Sequence, residues 1–392
     1  MILSKEDTLL AAQRFIDYYR QFDSILDYQM KVKEDRVGKE SKKEDQAILP
    51  FFDSPYDDFF QAWDMSPNEM EFSFLTSNEP EYDDKMWVEK LDVVSSHGNM
   101  SHIPGRRLRI LVKEKNTNTI IGFIHLGSPV ISIKPRHDTL GGVPNMYEVN
   151  SHTVMGNVIV PTQPFGYNYL GGKLLALVCC SHWVREHFNK RYDNTNICLF
   201  ETTSLYGTTK GMSMYDGLKP YLRHGGDTVS DFPPTVHDKV FTEWNHWFKD
   251  RNGGENLVPM TKVTAAGKVV PMTSWKDRTQ QKMKSIIKNS LKHYKLKDKL
   301  NEINLVLSEA KALTERKRYY HCSYGYDNVS DVLLQGADPI INPQNWDKHH
   351  LENIIAWWKK KAQKRWEKLR AEGQLRTQLE IQGTGMDIDI IR

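Results

Sequence analysis

Hydrophobic positions along the chain change their period from helix to strand and back again. Residues 5–22 place Leu9, Leu10, Phe15, Ile16 and Tyr19 near helical spacing, which predicts an amphipathic helix. The run 31–46 is almost wholly polar and reads as an exposed linker or a solvated helix. Aromatics then dominate: Phe51, Phe52, Tyr56, Phe59, Phe60, Trp63, Phe72 and Phe74, broken by Pro and Asn into short helices and turns. Alternation begins at RRLRILVKE (106–114), NTNT turns the chain, and TIIGFIHLGSPV (119–130) completes a hairpin. A loop is expected over 134–146 and a further strand over 152–161. A mostly apolar helix follows over 173–190 and a strand over 196–204, so the unit reads as a βαβ crossover.

Beyond this region the pattern weakens. A short helix is expected near 212–220, loops with one hairpin over 231–274, and a long basic helix over 275–315. RKRYYHCSYGY (316–326) reads as a strand, 347–370 as a Trp-rich basic helix, and the last twenty residues as a frayed tail. The expected division is a helical and acidic, aromatic-rich region at 1–104 and a core at 105–228. A loop-rich insertion with the basic helix and a return strand follows at 229–346, then a C-terminal helix and tail at 347–392.

No run reaches the length of apolar residues that a membrane span needs, and the opening MILSKEDTLLAAQRF acquires charge at once. These features predict a cytoplasmic protein with no membrane partner. Four cysteines (Cys179, Cys180, Cys198, Cys322) in 392 residues make no disulfide framework, and without CxxC spacing they predict no metal site. They read as reduced core thiols.

The net charge of +3 conceals a separation. Residues 44–84 carry twelve Asp or Glu and no Lys or Arg, whereas 276–318 carry thirteen Lys or Arg against five acids. Lys359, Lys360, Lys361 and Arg365, interleaved with Trp357 and Trp358, predict a nucleic-acid-binding face, most simply for DNA. Tyr319 and Tyr320 are further candidates to stack on a base. The acidic segment then predicts a basic protein partner. Solvated helix faces without a partner remain the alternative.

Candidate chemistry concentrates between 105 and 228. A helix start offers unpaired N–H groups and a partial positive charge, and glycine lets a ligand approach the backbone. Gln163, Gly166, Gly171, Gly172 and Lys173 therefore form a possible cradle for a phosphate-bearing donor, with simple packing glycines as the alternative. Glu201, Thr203, Ser204 and Tyr206 gather at a strand end, where open α/β arrangements hold ligands, and Tyr215 follows closely. They are candidate catalytic groups or ordinary turn residues. His125 in GFIHLGS is either a general base or a core histidine. HExxH, GxSxG, GxGxxG and P-loop patterns are absent.

From about 106 to 228 the order of elements resembles the GNAT (N-acetyltransferase) superfamily. RRLRILVKEKNTNTIIGFIHL is similar to the hairpin before that family's cofactor strand. GNVIVPTQPFG with GGKLLALV is similar to the strand, pyrophosphate loop and helix that follow. The family loop runs Q/R-x-x-G-x-G/A; this chain has Gln163-Pro164-Phe165-Gly166-Tyr167-Asn168 and departs at the last position. MSMYDGLKPYLRHGG is similar to the closing stretch, where a Tyr often protonates the leaving thiolate. The resemblance implies an acyl-CoA donor and Tyr215 in that role.

A second resemblance, covering about a third of the chain, is to the DruA-like proteins of Druantia-type anti-phage systems and their phage-encoded relatives. It rests on IIGFIHLGSP, on NVIVP with LGGKLLAL, and on ETTSLYGTTKGMSMY. It implies a bacterial or phage setting and a role linked to nucleic acid. The chain also resembles the Mom protein, a GNAT-like enzyme that modifies adenine in phage DNA. The combined expectation is an α+β fold with a GNAT-like central mixed sheet and a βαβ cofactor unit, plus helical N- and C-terminal additions. Its function would be nucleic-acid modification or, alternatively, non-catalytic nucleic-acid binding within a phage or defence complex.

Overall fold

The computed structural model describes residues 1–24, 27–28, 31, 57–94, 105–130, 132–204, 213–228, 233–263, 267–272, 274–313 and 317–380. Tyr206, the charged run 32–46, the start of the acidic segment and the end of the tail lie outside these residues. In chain order the elements begin with α1 (Lys5–Arg20), β1 (Phe72–Thr76), α2 (Asp84–Val94), β2 (Arg107–Glu114) and β3 (Thr119–Gly127). Then come α3 (Lys134–Leu140), α4 (Met146–His152), β4 (Thr153–Pro161), α5 (Phe165–Tyr169), α6 (Gly171–Cys179), α7 (His182–Arg191) and β5 (Leu199–Ser204). β6 (Arg223–Asp227), α8 (Asp238–Arg251), β7 (Thr261–Val263), β8 (Val269–Pro271), α9 (Trp275–His293) and α10 (Lys297–Glu309) follow. The chain closes with β9 (Arg318–Cys322), α11 (Val329–Gln335), α12 (Pro343–Trp346) and α13 (Leu351–Ala371).

Two compact units result, each assembled from two stretches of chain: Met1–Asp45 with Ser230–Glu315, and Gln46–Val229 with Arg316–Arg392. In the first, α1, α8, α9 and α10 enclose a core of Phe15, Ile16, Trp244, Phe248, Ile287 and Ile303. The α8 region was expected to be loop. Phe241, Trp244 and Phe248 instead place an apolar stripe on a helix, which packing against α1 residues completes. The long basic helix divides at Tyr294–Leu296, where Lys295 takes a left-handed φ of 54°.

The second unit is built on a seven-stranded sheet in the order β1-β2-β3-β4-β5-β9-β6. It is mostly antiparallel, β4 and β5 being its one parallel pair, so the fold is mixed α+β. The expected hairpin is present as β2 and β3, paired from Arg107↔Gly127 to Glu114↔Thr119. Both strands are nearly continuous apolar runs because the sheet is covered on both faces. Ile110, Val112, Ile124 and Leu126 pack toward α6, α7 and α13. Leu111, Phe123 and Val158 pack against Trp87 and Leu91 of α2. A Cβ at Gly122 would stand 2.5 Å from Leu175 Cδ1, so glycine there lets α6 lie close on the sheet.

Three local expectations are corrected. Residues 134–146 are not a loop but largely α3 and the start of α4; Pro135 begins α3 and Gly141, at φ 76°, ends it. The single helix 173–190 is two, because Ser181 Oγ accepts from Val184 N and caps α7. The segment near 212–220 is turn, not helix. The final tail is partly docked, since Asn168 bonds Arg376 N and O, and Glu380 N donates to Gln163 O.

Trp358 is 1 % exposed and packs into the main core from α13. Trp358→Ala is expected to cost about 3–5 kcal/mol in chemical denaturation, whereas Lys360→Ala on the exposed side of the same helix should stay within about 0.5 kcal/mol.

Candidate functional site

The site follows from where the parallel pair ends. β4 and β5 pair only from Thr153↔Leu199 to Gly156↔Thr202, and Thr202 Oγ1 donates to Gly156 O at 3.0 Å as the last link. β4 continues to Pro161 paired with β3 alone. Its outer edge over the last residues therefore faces no strand among the described residues. A cavity of about 290 Å³ lies there. Adjacent strand residues point to opposite faces, yet both Ile159 and Val160 line it, together with Val94 of α2 and Gly172 and Lys173 of α6. The cavity thus occupies the gap where the sheet opens.

Its polar rim is cationic. Arg376 lies over the Tyr167 ring at 3.8 Å and Arg365 at 4.7 Å, and Arg365 Nε donates to Tyr167 O. Burial, with Lys361 close by, lowers the Lys173 ammonium from its usual range. Gln163, Gly166, Gly172 and Lys173 from the predicted cradle line the cavity. Gly171 does not: a Cβ there would meet Phe165 at 2.5 Å, so it is a packing glycine. Met214 seals the side nearest Gly172, and Lys173 Nζ donates to Asp216 O. Asp216 in turn accepts from Tyr320 and Arg318. The segment carrying Tyr215 is thereby pinned beside the start of α6.

The family model described as Druantia protein DruA matches residues 22–210, from before β1 through β5 and the cradle residues. Over that stretch the chain is DruA-like. The Druantia protein DruA of Escherichia coli (strain UMEA 4076-1) is 27% identical over 161 residues, or 37% of this chain. The chain covers 39% of that relative's length. No solved structure matches. Arg376 of the rim, and Lys361 and Arg365 beside it, lie beyond the DruA-like stretch.

The expected catalytic residues do not converge. Along β5, Glu201 and Thr203 face one side of the sheet and Thr202 and Ser204 the other, as strand alternation demands. Tyr215 is buried on the Ser204 side, against the Tyr320 ring, and burial raises its phenol above its usual range. Glu201 is fully buried and saturated: Oε1 accepts from Arg136 Nε at 2.7 Å and Tyr319 OH at 2.5 Å, and Oε2 accepts from Arg136 at 2.7 Å. Burial works against the Arg136 charge, and the Glu201 carboxylate more than restores it. A carboxylate held in this way is a structural anchor rather than a free base.

His125 is corrected to a core histidine. It is fully buried on the α2 face, against the Trp87 ring and beside Arg109, and neither ring nitrogen has a hydrogen-bond partner among the described residues. Burial and the neighbouring Arg109 push it down to about 4, so it is neutral at physiological pH. Trp358, Tyr319 and Tyr320 are each 1 % exposed and are not stacking platforms for a base. Trp357 is half-buried with Lys361 4.5 Å above its ring, and Lys359 Nζ donates to Asn68 O. Of the proposed cationic face only Lys360 and Lys361 are exposed, and Arg365 turns onto Tyr167, donating to its backbone oxygen.

Sequence reasoning set aside a second constellation. His321, Cys322 and His349, with Arg223 and Lys348, line a polar cavity of about 360 Å³. Cys322 Sγ lies 3.9 Å from His349 Nδ1, which is itself 2.8 Å from Cys180 O. Adjacent His–Cys and His–His pairs carry no ligand spacing; only the return of β9 beside β5 brings them together.

Two measurements check these assignments. Arg136→Met is expected to destabilise by about 3–5 kcal/mol, because it strands a buried carboxylate. The double variant Arg136→Met with Glu201→Leu should recover part of that loss in a denaturation cycle. For His125, the unfolded chain binds a proton below about 6.5 that the folded state refuses until about 4. The unfolded state then binds more protons, so stability falls as pH drops through that window. His125→Leu should remove a loss on the order of 3 kcal/mol between those limits, leaving the parallel contribution of His182, also held near 4 by burial.

Proposed function

We propose that this chain is a GNAT-like group transferase that acts on nucleic acid, in the setting of Druantia-type anti-phage defence. The observation that carries the reading is the cavity in the gap beside β4, apolar within, with Lys173 and Arg376 on its lining and Arg365 stacked on the lining residue Tyr167. An extended donor with an apolar-tolerant arm and anionic phosphates matches that distribution. The free edge of β4 can offer backbone hydrogen bonds to amides in such an arm, and acyl-CoA is the natural member of this class. In the transfer, an amino group on the acceptor forms a bond to the acyl carbon while the carbon–sulfur bond breaks. The amine proton passes to solvent and the departing thiolate takes a proton from solvent in turn; Tyr215, the acid that the GNAT resemblance implies, is buried against Tyr320 and does not line the cavity. Burial keeps that phenol protonated at neutral pH.

The DruA-like stretch supports the defence setting, and the charge separation supports nucleic acid as acceptor. A second reading, a non-catalytic nucleic-acid-binding component, is favoured by one observation. Glu201 is locked by Arg136 and His125 is sealed under α2, so neither candidate base reaches the cavity.

Titration with coenzyme A and acetyl-CoA, followed by mass spectrometry of nucleosides from DNA incubated with protein and donor, tests the proposal. Coenzyme A binding is expected to weaken about 10–100-fold in Lys173→Ala or Arg376→Ala, as loss of a charge-assisted hydrogen bond predicts. A new nucleoside mass should depend on Lys173 and Arg376, which line the donor cavity. Absence of any donor binding would overturn the cavity assignment. Binding without a modified nucleoside, on DNA or RNA, would favour the non-catalytic reading.

A further inference from the structure

The unit formed by Met1–Asp45 and Ser230–Glu315 carries a groove of about 470 Å³ along α9 and α10. Lys284, Lys288 and Lys292 line it from α9, and Lys311, just past α10, joins them. Their spacing of four residues sets the three α9 ammonium stems in a row, about 6 Å apart along the helix. No carboxylate lines the groove; its other polar groups are neutral, among them Asn289 and Asn304. Other cations of this unit are matched by acids: Arg20 and Lys299 by Glu302, Arg251 by Asp7, and Lys276 by Asp238. None of the four groove lysines forms an ion pair among the described residues.

Lys284 is the least expected of them. It is 5 % exposed, and its Nζ is buried without a hydrogen-bond partner among the described residues, its one compensating contact there being the Tyr19 ring 5.6 Å below. A buried ammonium normally has a partner, because leaving it unpaired is costly. A row of unmatched cations ending in a buried one is costly for the isolated protein and favourable once an anion lies along it.

We propose that the α9–α10 groove binds the phosphate backbone of a nucleic acid, with Lys288, Lys292 and Lys311 on successive phosphates and Lys284 at its floor. No aromatic ring lines the groove, so recognition there is of backbone charge rather than of bases. The inference deepens the nucleic-acid half of the proposed function. It moves the principal grip from α13, whose cations are largely engaged with their own unit, to this groove.

Burial, with Lys288 adjacent, pushes the Lys284 ammonium down to about 8. A phosphate placed beside it favours the charged form, so binding near that pH should take up a proton.

The test uses the full chain and a labelled mixed-sequence oligonucleotide, with no donor present. Single- and double-stranded DNA and RNA are compared over a range of salt. The triple variant Lys288→Glu, Lys292→Glu, Lys311→Glu alters side chains at least partly exposed to solvent, and circular dichroism checks its folding. Affinity is expected to fall tenfold or more, equally across sequences, and the salt slope to shrink by about 3. In wild type, calorimetry at pH 8 in buffers of different ionisation enthalpy should show proton uptake that Lys284→Met abolishes. Unchanged affinity and slope in the folded triple variant would overturn the proposal. So would equal displacement by an acidic polypeptide, which would make the groove a protein-docking surface. Because no donor is used, failure here leaves the transfer reading standing, and failure of transfer with intact binding leaves this groove standing.

Discussion

The early end of the β4–β5 ladder is the constraint from which the candidate site follows. Four residue pairs are enough to fix the two strands as parallel neighbours, and no more are made. Beyond Gly156 and Thr202, β4 depends on β3 on one side, while β5 is held by β9 on the other. A sheet that opens in this way must expose backbone groups along one edge, and such an edge is either covered or used. Here it borders a cavity whose walls come from both faces of the sheet. The glycine-rich loop, the placement of α6 and the pinning of the Tyr215 segment are consequences of filling the space around that gap.

Charge is distributed in two ways, and the difference separates architecture from chemistry. The Arg136–Glu201 pair is fully buried, doubly hydrogen-bonded and further bonded by Tyr319. It fixes α3 over the far side of β5, where β9 adds its aromatic face. Such a pair gains little net stability over apolar packing, but breaking it is expensive, so it favours one arrangement over others. The cations around Tyr167 behave differently. Arg365 stacks on the ring and donates to a backbone oxygen, Lys173 donates to a backbone oxygen and has no carboxylate directly on it, and Arg376 stacks on the ring while pairing with Glu380 at 2.9 Å. Lys173 in particular keeps its charge at the cavity wall without a carboxylate partner, which is where an anion would complete it.

Much of the core was legible because its signals are local. The alternation of 106–130, the apolar run of 152–161 and the glycines before α6 each imply one conformation over a few residues, and each is present. The placement of side chains was not local. Glu201 and Ser204 are three apart, and a strand sends them to opposite faces, so proximity in sequence misled where alternation should have warned. His125 reads as a base only until Trp87, thirty-eight residues earlier in the chain, covers it. Arg136 sits in a short helix that the sequence presents as loop, since seven residues with a proline in the first turn give little periodicity. The α8 stripe of Phe241, Trp244 and Phe248 was visible in principle, but its neighbours Asn245 and His246 obscured it.

The DruA-like stretch ends at residue 210, while Arg376 reaches the cavity and Arg365 reaches Tyr167 on its lining from the C-terminal stretch. Strands β1 to β5, the gap, the loop and Lys173 therefore belong to one part of the chain, whereas β6, β9 and the cations around Tyr167 belong to another. α13 is anchored by Trp358 and Trp366 through indole N–H bonds to Leu170 O and Trp63 O, so its register over the loop is set by burial and not by charge. A helix held in this way can change its surface cations without losing its place. The physical division of labour follows: apolar contacts decide where the rim stands, and the residues on that rim decide which anion it suits.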